Sequence, residues 1–152
     1  MHISAKADYA MRALLTLAAC DDDKPVTAEA IAREQGLPLK FLEGILVELR
    51  KDGLVTSQRG ADGGYRLAKA PDETSVAAVI RAVDGPLAEV RGIRPQDAQY
   101  QGAAEHLRDV WVAVRASLRN VLESVTLADV VAGHLPRSVG KLTENPDAWQ
   151  SH

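Results

Sequence analysis

At Gly53 the apolar spacing of this chain switches from the three-and-four step of a helix to the two-step of a strand, and that switch sharply limits the folds open to it. Upstream, Leu42, Ile45, Leu46 and Leu49 make one stripe of a predicted helix. Pro38 suits its first turn, because its φ is preset and the donor it lacks would go unused there. Downstream, Leu54, Thr56 and Gln58 alternate with Val55, Ser57 and Arg59 as a strand. Gly60-Ala61-Asp62-Gly63-Gly64 supplies a polar tip with freedom to take positive φ, and Tyr65-Arg66-Leu67 returns. A helix running straight into a β-hairpin results.

The segment before that helix completes a second pattern. Thr27 is placed to cap a short helix from Ala28 to Gln35, and Gly36 supplies the left-handed residue that ends it. Small Ala32 sits where two helices must cross, and Leu42 and Ile45 fill the space between them. Ser4 starts an earlier helix to about Ala19, carried by Ala7, Ala10, Met11, Leu14, Leu15, Leu17 and Ala18. Three adjacent aspartates, Asp21 to Asp23, then open a solvated loop. Ser75 caps a further amphipathic helix of Val76, Val79, Ile80 and Val83, closed by Gly85-Pro86. The fold class is therefore mainly α with a small β-hairpin, and residues 1–85 are expected to form a winged helix-turn-helix domain.

Residues 86–102 hold two prolines and two glycines with little periodicity, so they are expected to be a long loop and a possible sensor region. From Ala103 a long helix is predicted, with Leu107, Trp111, Val114, Leu118, Leu122 and Val125 in steps of four and three. Such a seam wants a partner helix. Residues 103–132 are therefore read as a dimerisation helix plus a short helix, Leu127 to Ala132, capped by Thr126. Residues 133–152 are expected to be a flexible tail.

The net charge of −3 looks unsuited to nucleic acid, but basic charge is concentrated between Arg33 and Lys69, where seven basic residues face five acidic ones. The first turn of the second helix presents Lys40 and Glu43. Lys40 can reach guanine or phosphate, Glu43 can accept from a cytosine amino group, and Gly44 leaves room for close backbone approach. Arg59 on the hairpin can lie beside phosphates or in the minor groove. Double-stranded DNA is the partner this pattern fits. The alternative is a winged-helix module that docks a protein without specific DNA binding, for which Lys40 and Glu43 are an ordinary solvated face.

Other chemistry is excluded or weak. No stretch approaches the roughly 20 apolar residues that span a bilayer, and the start lacks a signal-peptide pattern, so a cytoplasmic protein is expected. No nucleophile-base pair or phosphate-binding loop occurs, so no enzyme is expected. The single cysteine, Cys20, excludes an internal disulfide, and the neighbouring aspartates should raise its thiol pKa.

Leu49-Arg50-Lys51-Asp52-Gly53-Leu54-Val55, Arg59-Gly60-Ala61-Asp62-Gly63-Gly64-Tyr65-Arg66-Leu67 and the opening Ala5-Lys6-Ala7-Asp8-Tyr9-Ala10 resemble the Rrf2 family of bacterial regulators. That family includes an iron-sulfur cluster regulator, a nitric-oxide-sensing repressor and a cysteine-metabolism repressor. The resemblance covers roughly residues 1 to 132. It implies a repressor that binds a pseudopalindromic operator as a homodimer, with Lys40, Phe41, Glu43 and Gly44 on the reading face and Arg59, Gly60 and Gly63 on the wing. Phe41 stands where relatives often have tyrosine, and Gly44 where a polar base reader is common, so sequence preference should differ.

Cluster-bearing relatives carry three cysteines in the loop before the long helix, and this loop has none. Asp8 matches a cluster-ligand position, but an exposed carboxylate is ordinarily just solvated. His106 alone is a weak ligand candidate. No cofactor or metal is expected. Tyr100, His106 and Trp111 mark the region where an effector of unidentified chemistry, small molecule or protein, would be sought, with Trp111 also serving as an interface anchor.

Overall fold

Ser4 Oγ accepts from the backbone N–H of Ala7 at 2.9 Å and starts α1 (Ala5–Ala18). The computed structural model describes all residues from Met1 to His152. Ala7, Ala10, Ala13, Leu14 and Leu17 are buried, and the alanines let neighbouring helices approach α1 closely. Thr27 caps α2 (Ala28–Gln35) through Ala30 N–H at 3.1 Å. Gly36 ends it at φ 64°, which frees Leu37 N–H to bond Ala32 O at 2.9 Å and turn the chain into α3 (Leu39–Lys51). Pro38 is the residue before α3 and not its first turn.

The hairpin pairs β1 (Val55–Gln58) with β2 (Gly64–Leu67) in antiparallel register, Val55 opposite Leu67 and Gln58 opposite Gly64. An added bridge, Val26 N–H to Tyr65 O at 2.9 Å and Tyr65 N–H to Val26 O at 2.8 Å, staples β2 to the segment before α2. The hairpin is thus effectively three-stranded at Tyr65, next to its tip. A two-stranded ribbon alone would be marginal in water.

Ser75 caps α4 (Val76–Asp84), which lies on α1. The short α6 (Leu127–Ala132) carries the Thr126–Asp129 capping box, and its Leu127, fully buried, joins the same core as Leu14, Ile31, Leu42, Leu46 and Val79. Thr74 O accepts from Leu127 N–H at 3.0 Å, and Val125 O from Val76 N–H at 2.9 Å. The chain after residue 122 therefore returns to the winged unit instead of remaining with the helix before it.

Three expectations are corrected here. The long helix, α5, runs from Leu107 to Leu122 and not from Ala103, because Gly102 at φ 59° turns the chain into a separate 3-10 turn over Gly102–Ala104. Val125 leaves the seam and packs inward. The 86–102 segment is a loop, as expected, tied by a Val90–Ile93 bridge and pinned by Pro95 and Ala98, which are buried beneath α5. Beyond Gly133, the segment expected to be a tail folds into α7 (Arg137–Glu144) and a 3-10 turn over Pro146–Trp149. Val139 is buried there, and Trp149 Nε1–H donates to Thr143 O at 2.7 Å.

Candidate nucleic-acid interface

The stripe of Leu42, Ile45, Leu46 and Leu49 is almost completely buried, and this burial fixes the rotation of α3 about its own axis. Lys40, Phe41, Glu43 and Gly44 consequently face solvent. Nothing lies within 4 Å of where a Cβ on Gly44 would be, so the centre of the exposed face is flat. Phe41 is 49% exposed and its ring meets Tyr9 edge-on, with centroids 5.7 Å apart. The Arg12 guanidinium lies over the Tyr9 ring, 5.8 Å from its centroid, and also donates to Gln35 O. Lys6 pairs with Glu48 at 2.7 Å. These contacts bind α1 to the turn and to α3, so α3 is held against tilting.

On the hairpin, Arg59 is exposed and forms no ion pair, and Gly60 turns the chain at φ 107°. Gly63 behaves differently from its expected role as an exposed contact. It is buried, its N–H bonds Gly60 O at 3.0 Å, and a Cβ there would fall 2.4 Å from Gln58 O. Its function is to close the wing's turn.

Three further basic residues stand at the wing: Arg66 on its returning strand, as the sequence implies, and Lys24 and Arg50, whose approach to it has no signal in the sequence. Arg50 Nη1–H donates to Ser57 Oγ at 3.2 Å and ties the end of α3 to β1. Lys24 and Arg66 share a cavity of 560 Å³ beside the wing with Thr27, Gln58 and Asp62. The Val26–Tyr65 bridge brings Lys24 there, and no local spacing signals it.

The second group expected to act together does not converge. Tyr100 lines a shallow cavity with Gln99, Gln101, Glu105 and Arg108, to which neither His106 nor Trp111 contributes. The His106 side chain is 88% exposed, with Asp109 at 3.9 Å. Trp111 is half-buried, and its shielded Nε1–H has no partner in the chain. Leu107, Val114, Leu118 and Leu122 are likewise only half-buried, and α5 contributes no fully buried residue. Leu118 and Leu122 line an apolar groove of 560 Å³ with Met1, Ile3, Ile80 and Leu87.

The residues present do not fit an iron-sulfur cluster. Cys20 Sγ–H donates to Thr16 O at 3.3 Å, and partial desolvation, then Asp22, Glu34 and Asp21, raise the thiol pKa and disfavour the thiolate a cluster needs. No group of three or more His, Cys, Asp or Glu side chains is assembled anywhere to hold a metal. Anaerobic purification and reconstitution are expected to leave the protein colourless. Stoichiometric iron and acid-labile sulfide, lost in Cys20→Ser, would overturn this expectation.

No helix is long and apolar enough to cross a membrane. Residues 3–133 match the model of the Rrf2 family, described as iron-dependent transcriptional regulators. The chain is 48% identical over 151 residues to a Mycobacterium tuberculosis protein named as an HTH-type transcriptional regulator, Rv1287, covering 99% of this chain and 94% of that one. Among solved structures it is similar to CymR, named the global cysteine regulator of Bacillus subtilis, with TM-score 0.74 and 31% identity over 88% of this chain and 98% of that one. It is also similar to IscR of T. potens, with TM-score 0.68 and 32% identity, covering 100% of this chain and 93% of that one.

Proposed function

The chain belongs to the Rrf2 family of DNA-binding transcriptional regulators, and from that premise we propose that it is a cytoplasmic, non-catalytic repressor that binds a pseudopalindromic operator as a homodimer. The observation that carries the reading is the presentation of α3. Its apolar stripe is fully buried and its opposite face, from Lys40 to Gly44, is flat and uncovered beside a stapled wing bearing a free Arg59. A helix so placed fits a major groove, while the wing reaches the flanking backbone.

The half-buried seam of Leu107, Trp111, Val114, Leu118 and Leu122 supports pairing of two α5 helices, which sets two recognition helices roughly 34 to 36 Å apart. Selection of bound fragments from genomic DNA, followed by titration across salt concentrations, tests the reading. Affinity should fall linearly on a log-log salt plot. Binding that ignores salt, or none, would favour the protein-docking alternative.

Two substitutions separate the roles. Arg59→Ala is expected to weaken binding to all sequences and to make the salt dependence shallower. Glu43→Ala should instead relax discrimination at one base pair by about 1–3 kcal/mol. Unchanged discrimination in the Glu43 variant would reject its assignment to base reading.

A further inference from the structure

Between the end of α4, the loop from Gly85 to Gln96 and α5 lies an open cavity of 530 Å³ lined by four arginines, Arg81, Arg94, Arg115 and Arg119, all but Arg115 exposed. Its size is within the ordinary range for small-molecule sites, roughly 300–1,000 Å³. The rest of the lining is Gly85, Pro86, Leu87, Ala88 and Gln96, which brings no carboxylate to the cavity. Only Glu123 answers the positive charge nearby. It pairs with Arg81 and, at 4.0 Å, with Arg119, and the Arg81 hydrogen bond holds its carboxyl below the usual range.

Arg115 is oriented by a neutral acceptor, Gln96 Oε1, and neither it nor Arg94 forms an ion pair in the chain. Four guanidiniums against one carboxylate repel one another, and each offers a planar fork matched to carboxylate or phosphate. Arg115 and Arg119 are held one turn apart on α5, and Arg94 is positioned by the buried Pro95 that follows it. Arg94 and Arg115 are therefore brought to the same cavity and left without a carboxylate partner.

We propose that this cavity binds a small molecule carrying at least two anionic groups, carboxylate or phosphate, with Arg94 and Arg115 as its principal contacts. Its use as the effector site rests on the regulator reading above. The structural route is short: the cavity's Arg81 belongs to α4, and α4 packs on both α1 and α3.

The test is calorimetric titration of the full-length protein with pyrophosphate and, separately, with citrate, at constant ionic strength. Saturable binding of either is expected, weakened about ten-fold or more by Arg94→Gln and by Arg115→Gln, as for loss of a charge-assisted hydrogen bond. Preference for one probe identifies phosphate or carboxylate as the natural group. Both variants alter partly exposed side chains, and their melting curves should match that of the parent.

Failure of both probes to saturate, or equal binding by the variants, would overturn the site. So would a loss of dimer mass in the variants, because the arginines would then be anchors for a partner chain. DNA affinity is read in parallel. A shift on saturation that vanishes in the variants supports the effector role, and no shift rejects that role. Absence of DNA binding with anion binding intact would reject the regulator reading and leave the site standing.

Discussion

Gly64→Ala is expected to melt the wing and remove most of the DNA affinity while the helical core survives. The residue sits at φ 145°, and a Cβ would lie 2.6 Å from both the carbonyl carbon and oxygen of Val26. Those are backbone atoms in the bridge that staples β2 to the start of α2, so no side-chain rotation relieves the overlap. Backbone strain of about 1–3 kcal/mol adds to overpacking of about 1–3 kcal/mol. A short hairpin has little reserve against that, since it depends on the bridge for its third strand.

Circular dichroism should still show helix, with a lowered melting temperature, and hydrogen exchange should quicken at Tyr65 and Val26. DNA affinity should approach that of a protein without a wing. An unchanged melt together with unchanged DNA affinity would refute the close packing described for Gly64. Gly140→Ala is the matched control, because the space around Gly140 is open, helix propensity favours alanine there and α7 lies outside the reading face.

Leu118→Glu is expected to split the proposed homodimer. Leu118 lies in the C-terminal half of α5, outside the core cluster, and faces an apolar groove that its own chain leaves open. A carboxylate buried between two such helices would have no partner, whereas in a free chain it stays solvated. Light scattering should fall from about twice the chain mass of 16.3 kDa to that mass itself. Operator binding should weaken by about 10²–10⁴-fold, the usual loss when two linked half-site contacts become independent. A parent protein that is already monomeric at micromolar concentration would remove the paired-half-site arrangement altogether.

Much of the reading face is legible in the order of residues alone. Lys40, Glu43 and Gly44 follow from the stripe of Leu42, Ile45, Leu46 and Leu49, since burying one side of a helix dictates what the other presents. Thr27, Ser75 and Thr126 each cap the helix expected of them, because capping is settled within three residues of the cap. Gly63 defeats that kind of reasoning, because a glycine needed for exposure and one needed for close packing look alike in one dimension. Lys24 and Arg50 escape it for a related reason: each reaches the wing through a contact into the hairpin.

The arginine cavity is the strongest instance. Arg81, Arg94, Arg115 and Arg119 are scattered over about forty residues with no shared motif, and the expected sensor group of Tyr100, His106 and Trp111 does not assemble. What the sequence determined by itself was local: the helix and strand periods of the winged unit, its caps, the turn at Gly36 and the helix-to-hairpin switch at Gly53, though not the turn at Gly102 or the helix α7. Only the tertiary structure decided that α6 returns to the first core, that the loop after α4 is pinned beneath α5, and which charges are left facing one another. Those outcomes depend on contacts between residues far apart in the chain, and no periodicity or capping rule encodes them.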